Sequence, residues 1–344
     1  MKSQPARPGE FESIKKYFAP LSAGFAGAYE LTNDTASFSV SDGHEAVVTL
    51  DTMVSGVHFL AEDPPDLVAR KLLRVNLSDL ASSGATPRTY FVSLSLPPSF
   101  NEEWIAAFAD GLAADQEEFK VTLGGGDTTS TPGPLTLSMT AIGEGSKGRG
   151  LARSGAAPGE DIYVSGTLGD AALALALIET IGVEQARRDA PGLVARYRLP
   201  EPRVTLGPAL IGLATSAIDI SDGLGADLAH ICETSLVGAV IEEAAIPRSE
   251  QVRRCLDEHP DWSNRVYSGG DDYELLFTSV PENAGKISTL AEDLGVSLTR
   301  IGRTEEGDNP VLLAESGQKM DLRKSGWRHF DVFDLPSICY SMIE

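Results

Sequence analysis

Lys120-Val-Thr-Leu-Gly-Gly-Gly-Asp-Thr-Thr-Ser130 is the stretch around which the chain is organised. A short apolar, β-branched run stops at Gly124-Gly125-Gly126, and Asp127 follows at once with three hydroxyls. Glycine lets a backbone approach a ligand closely and adopt positive φ without strain. Successive exposed N–H groups in such a run can cradle phosphate oxygens. Asp127 at the lip would then offer an oxygen ligand to a hard cation bridging those oxygens. Taken alone, the stretch reads equally well as a plain turn with a helix-capping aspartate.

The bulk numbers narrow the choice. A chain of 344 residues suggests two domains of ordinary size. Hydrophobic content of 42% and charged content of 23% are those of a soluble globular protein. A net charge of -22 argues against nucleic-acid or anionic-membrane partners, which need a basic face. A polyanionic substrate fits only with metal ions or a local basic cluster. Cys232, Cys255 and Cys339 have neither metal-ligand spacing nor a disulfide framework, so a reducing cytoplasm is expected. The N-terminal Met-Lys-Ser-Gln-Pro-Ala-Arg-Pro lacks the apolar core of a signal peptide, and the apolar run Ala171–Ile178 falls far short of a membrane span.

Going outward from the glycines, the spacing predicts a strand over 46–50 ending at Asp51, a helix over 65–83 and a strand over 89–96. A helix over 102–118 and strands over 121–123 and 135–142 follow. This order describes one α/β-type domain. Asn76, Asp79 and Ser83 share one face of the 65–83 helix, flanked by Leu72 and Leu80. Gly143-Glu-Gly-Ser-Lys-Gly148 matches G-x-G-x-x-G, but no helix follows, so it reads as a glycine-rich linker between domains 1–148 and 149–344. The second half opens with a strand over 161–165 and a helix over 169–181. Arg187, Arg188, Arg196 and Arg203 in the polar stretch beyond read as solvated. Strands at 216–220, 237–241 and 298–301, a glycine turn at Ser268-Gly-Gly-Asp-Asp leading into a further strand, and helices at 225–234 and 284–294 complete an α+β unit. Asp219 and Ser221 point the same way at a strand end, and Asp222 reads as a helix N-cap.

Asp34, Asp51, Asp79, Asp127, Asp219 and Asp222 thus sit at strand ends or on the polar stripe of an apolar helix. Loops at strand ends are where sites are built. Oxygen donors without a His/Cys cluster point to Mg²⁺ rather than zinc. Clustered carboxylates repel one another without cations, so the inference is a multi-Mg²⁺ phosphate site with a glycine cradle. No Walker A or H-R-D sequence occurs, so an ATP-using enzyme here belongs to another fold.

Asp51-Thr-Met-Val-Ser-Gly-Val-His-Phe59, Val75-Asn-Leu-Ser-Asp-Leu-Ala-Ser-Ser-Gly-Ala85, Gly125-Gly-Asp-Thr-Thr129, Ile218-Asp-Ile-Ser-Asp-Gly-Leu224 and Gly269-Gly-Asp-Asp-Tyr-Glu-Leu275 carry a resemblance. In order and spacing the set resembles the thiamine-monophosphate kinase family, within the aminoimidazole ribonucleotide synthetase-like ATP-binding superfamily. The resemblance implies an α+β protein of two α/β-type domains: an N-terminal mixed sheet that pairs across a homodimer, a C-terminal α+β domain, and ATP between them. It implies Mg²⁺ ligands at Asp34, Thr49, Asp51, Asp79, Asp127, Asp219 and Asp222. ATP contacts would fall at Gly126, Asp127, Arg153 and Ser221, and thiamine monophosphate contacts at His58, Asp271 and Trp327. An aromatic face at Trp327 would suit a cationic ring. Three departures stand out. Thr32-Asn33-Asp34 replaces a usual Gly-Asp-Asp, Leu50 replaces a common threonine, and Asp271 replaces a glutamate.

Other members of the superfamily fit less well. A selenophosphate synthetase would want a reactive cysteine near the N-terminus, yet the first is Cys232. Pro336-Ser-Ile-Cys339 is similar to the hydrogenase-maturation dehydratase terminus, but five residues follow it. A catalytically silent nucleotide-binding homologue is the alternative of another class.

Overall fold

The structure is a computed structural model. It describes residues 9–314, 316–323 and 325–326. The described residues divide into two compact units, one from residues 9–80 with Ala85–Lys147, the other from Ala81–Gly84 with residues 148–326.

The first unit begins with α1 (Glu10–Ser13) and a run of tight helical turns to Leu31. It continues through β1 (His44–Val54), α2 (Pro65–Ser82), β2 (Thr86–Leu96), α3 (Glu102–Phe119), β3 (Thr122–Ser130) and β4 (Thr136–Ser146). The strands form one mixed sheet in the order β1-β4-β2-β3, with β4 antiparallel to β1 and β2, and β3 parallel to β2. Parallel neighbours need a crossover, and α3 supplies it. Leu72, Leu77 and Leu80 from α2 and Phe108 and Leu112 from α3 are fully buried with Tyr90, Leu94, Leu137 and Met139 of the sheet. Between the two helices the Asp115 carboxylate takes Arg74 Nε at 2.7 Å and Arg70 Nε at 2.7 Å.

Three local expectations are corrected here. The glycine run is not a turn: β3 passes through it to Ser130. A bulge falls at Gly124, where Tyr90 pairs with Leu123 but Phe91 pairs with Gly125. The reason is close approach rather than positive φ, since a Cβ on Gly126 would lie 2.2 Å from the Val92 carbonyl oxygen. Glycine within a strand commonly marks such a bulge or contact. Gly126→Ala is therefore expected to force β3 away from β2, at about 1–3 kcal/mol, readable as a lowered denaturation midpoint. Second, Gly143–Ser146 is not linker but the end of β4. Third, the strand-end placement fails for three aspartates: Asp34 precedes the first strand, which begins at His44, while Asp51 and Asp127 lie inside β1 and β3.

The second unit runs β5 (Asp161–Ser165), α4 (Asp170–Ile181), α5 (Val183–Asp189), α6 (Pro191–Arg198), α7 (Leu206–Ala209), β6 (Ser216–Asp219) and α8 (Leu224–Ser235). Then follow β7 (Gly238–Glu242), α9 (Glu250–Glu258), α10 (Arg265–Ser268), β8 (Leu275–Ser279), α11 (Ala284–Leu294), β9 (Leu298–Glu305), β10 (Pro310–Leu313) and β11 (Lys319–Asp321). Its sheet has the order β11-β10-β7-β9-β5-β8-β6, antiparallel except between β10 and β7. Tyr163, Leu206, Leu210, Leu275, Phe277 and Ile287 centre its core, which also takes in Ala81. Helices with mixed sheets in both units make this an α+β fold. No helix among the described residues is long and apolar enough to cross a membrane.

Candidate active site

Alternation along β1 puts Thr49, Asp51 and buried Met53 on one face and Val48, Leu50 and Thr52 on the other. The first face meets α2. There the Thr49 hydroxyl donates to the Asp79 carboxylate, and Asp51 is hydrogen-bonded to the same carboxylate. Burial first, and then the Asp79 charge, push Asp51 from 3.8 to about 7. Asn76 lies one helical turn before Asp79 and is fully buried. Its Nδ2 donates to the Leu72 carbonyl at 2.9 Å, while its Oδ1 is buried with no hydrogen-bond partner.

Asp127 is on the opposite face. The cross-strand row Thr52–Ser138–Ser93–Asp127 fixes this, and the Thr52 and Ser138 hydroxyls meet at 2.8 Å. That face holds a cavity of about 410 Å³, lined among others by Asn33, Asp34, Gly126, Asp127, Leu50 and Phe91. The first unit thus gathers its candidates into two groups, Thr49–Asp51–Asp79 and Asp34–Gly126–Asp127. No three His, Cys, Asp or Glu side chains among the described residues are close enough to hold a metal ion unaided.

His58 follows β1. Its Nδ1 accepts the Val54 N–H at 3.0 Å, so the ring's proton resides on Nε2. Lys71, although buried, reaches the His58 carbonyl at 3.0 Å.

In the second unit Asp219 ends β6, 3% exposed. The turn after it and the Gly269–Tyr273 loop clasp each other: Asp271 N–H donates to Ser221 O at 2.9 Å and Tyr273 N–H to Ile220 O at 2.7 Å. Ile220 N–H in turn donates to Glu274 O at 2.8 Å. A Cβ on Gly270 would stand 2.2 Å from the Ser221 oxygen, which is why the loop opens with glycine. Arg153 is exposed, one residue from Ala152, whose carbonyl accepts the Ala217 N–H at 2.8 Å. Trp327 lies outside the described residues.

Asp222 is not the N-cap of α8; Gly223 is. The capping group is Asp227, a residue not among those expected from the sequence. One oxygen of its carboxylate takes the N–H groups of Ser221, Asp222 and Gly223, each at 3.1 Å. Burial, with the Asp222 and Asp219 charges, holds Asp227 well above the ordinary carboxylate range. An acidic residue in the first turn of a helix that follows a glycine was the available signal.

Arg196 and Arg203 are also corrected, being paired rather than solvated. Arg196 Nη2 lies 2.9 Å from Glu274 Oε1, and Arg203 Nε 2.6 Å from Glu274 Oε2. The Ser165 hydroxyl adds a bond of 2.5 Å to that carboxylate. Beside it the Asp272 carboxylate accepts the Gly169 N–H at 3.0 Å, and burial pushes it well up. Cys232 and Cys255 are buried free thiols, Cys232 pushed by burial to about 12.

Two family models match the chain: AIR synthase related protein, N-terminal domain, over residues 32–144, and its C-terminal domain over 157–315. The thiamine-monophosphate kinase of Caulobacter vibrioides is 39% identical over 328 residues, covering 94% of this chain and 92% of that one. The chain belongs to the thiamine-monophosphate kinase family. The crystal structure of the family's kinase from Stenotrophomonas maltophilia superposes with a TM-score of 0.77 at 43% identity, covering 82% of this chain and 89% of that one. AaThiL complexed with AMPPCP and TMP gives 0.75 at 29% identity, covering 94% and 97%. Both superpose over most of their own length, so this chain shares their fold.

Proposed function

We propose that the chain transfers the γ-phosphoryl group of ATP to the phosphate of thiamine monophosphate, giving thiamine diphosphate and ADP, by direct in-line transfer assisted by Mg²⁺. The observation that carries the reading is the Thr49–Asp51–Asp79 group: oxygen donors only, two of them carboxyl groups close enough to share a proton. Mg²⁺ is commonly held by one or two carboxylates, with substrate phosphates and water completing its shell. A pair of carboxylates and a hydroxyl fits that role, and the buried, unpartnered Asn76 Oδ1 fits a site that expects further donors. AaThiL complexed with AMPPCP and TMP supports the same pair of substrates.

The acceptor is a phosphate monoester with a second pKa of about 6, already a dianion at neutral pH. No general base is needed. The obstacle is bringing two polyanions together on a chain of net charge -22. Mg²⁺ held there would offset that repulsion and the charge of the transition state. Asp51, Asp79 and Thr49 would hold one part of the metal, Asp34 and Asp127 another, and Asp219 and Asp222 a third. Gly126, Arg153 and Ser221 would contact the nucleotide. His58, Asp271 and Trp327 would contact thiamine monophosphate, His58 through its Nε2–H. Residues 1–148 then serve ATP, Mg²⁺ and dimerisation, and 149–344 the remaining nucleotide and substrate contacts. The homodimer is supported by Val48 and Leu50, 59% and 64% exposed on the outer face of β1.

The test is ADP release with and without thiamine monophosphate. ADP and thiamine diphosphate are expected in equal amounts, only with the acceptor present, and both vanish with EDTA. Nucleotide binding without turnover would favour the silent homologue instead.

A further inference from the structure

Among the described residues of the first unit, one buried side-chain polar atom is left without a hydrogen-bond partner, Oδ1 of Asn76. Which end of this amide is the oxygen is fixed by chemistry. The other end faces the Leu72 carbonyl at 2.9 Å, an acceptor that only an NH₂ group can meet. A buried carbonyl without a donor is costly, and native structures rarely keep one without a water or ion. Asn76 is on the stripe of α2 that carries Asp79, one turn earlier. It is deeper than its neighbour: Asn76 is 0% exposed, whereas Asp79 is only partly buried.

We infer that Asn76 is a positioning residue for the cation: its Oδ1 accepts a hydrogen bond from a water that Mg²⁺ keeps when it binds at Asp51 and Asp79. This rests on the metal reading above. Mg²⁺ gives up its waters reluctantly, and a water held by a dication is a strong donor. A neutral amide oxygen suits that donor without adding a third negative charge to the Asp51–Asp79 pair. Removing such an outer partner commonly lowers metal affinity 10–100-fold.

The experiment compares wild type, Asn76→Leu, Asn76→Asp and Asp51→Asn by thermal melting against Mg²⁺ concentration, with and without ADP. Leucine has nearly the shape of asparagine and no acceptor. Asn76→Leu is expected to melt at or above the wild-type temperature without metal, yet to need about tenfold more Mg²⁺ for half of the stabilisation. Asn76→Asp, which keeps an acceptor but adds charge, is expected to melt lower without metal and to gain more from Mg²⁺. Asn76→Leu with an unchanged Mg²⁺ requirement, while Asp51→Asn loses the response, overturns the inference alone. A wild type without any Mg²⁺ response in either condition overturns the metal reading itself. Should Asn76→Leu not fold, Asn76→Asp decides: a Mg²⁺-induced rise no larger than that of the wild type overturns the inference.

Discussion

Asp51→Asn is expected to melt at a higher temperature than the wild type in metal-free buffer at pH 8, while losing at least about 10³-fold in kcat/KM, or about 4 kcal/mol of transition-state stabilisation. Both halves follow from one contact. The folded protein holds Asp51 at about 7 against 3.8 ordinarily. Between those values the folded state binds a proton that the unfolded chain has released. Stability therefore falls as the pH rises from about 4 through 7, and the repulsion is in full force at pH 8. At roughly 1.4 kcal/mol for each tenfold change in proton affinity, relief is worth on the order of 2–4 kcal/mol. Asparagine keeps a hydrogen bond to Asp79 but removes the charge. Mg²⁺ should raise the melting temperature of the wild type and leave that of the variant in place. An Asp51→Asn protein that melts lower at pH 8, or turns over normally, would contradict the assignment. Activity gained at the expense of stability is a general feature of such sites.

The second large effect lies in the other unit. Glu274→Gln is expected to destabilise by about 3–5 kcal/mol, because it strands two guanidinium groups in the interior. Glu274 is 1% exposed, while Arg196 and Arg203 are 17% and 16% exposed. Their other carboxylate, Glu201, is 57% exposed and 3.3–3.4 Å away. Glu201→Gln should accordingly cost less than about 1 kcal/mol. A denaturant titration of the two variants separates them. The same network governs a loop: Arg196 Nη2 also donates to the Asp272 carbonyl at 3.2 Å, and Asp271 and Tyr273 are held at φ of 69° and 51°. L-residues occupy that region only when their surroundings compel it. With the network weakened, KM for thiamine monophosphate should rise more than KM for ATP. Equal midpoints for the two variants would show that the buried pairings are not what secures this loop.

Much of this molecule could be read from the chain alone. The helices over 65–82, 102–119 and 284–294 and the strand over 161–165 fall where their apolar periods put them, because periodicity is a local property of the side chains. The motifs around Asp51, Asp79, Asp127, Asp219 and Asp271 were enough to point to the family, since glycine and carboxylate at fixed spacing are also local. The polar stretch with Arg196 and Arg203 resisted. Its two arginines pair with a buried glutamate more than seventy residues later, and no window of sequence contains both.

What only the tertiary structure decided is which carboxylates meet. From sequence, Asp51, Asp79 and Asp127 are expected together in one multi-Mg²⁺ phosphate site. The bulge at Gly124 inserts one residue between Leu123, which faces the core, and Gly125, which pairs with outward Phe91. With a side-chain period of two, one residue moves everything after it to the other face. Asp127 is thereby set beside Asp34 in the cavity, away from Asp51 and Asp79. Sequence determined the kind of donors and their number. The register of one strand, fixed by how closely Gly126 approaches Val92, determined how they are grouped.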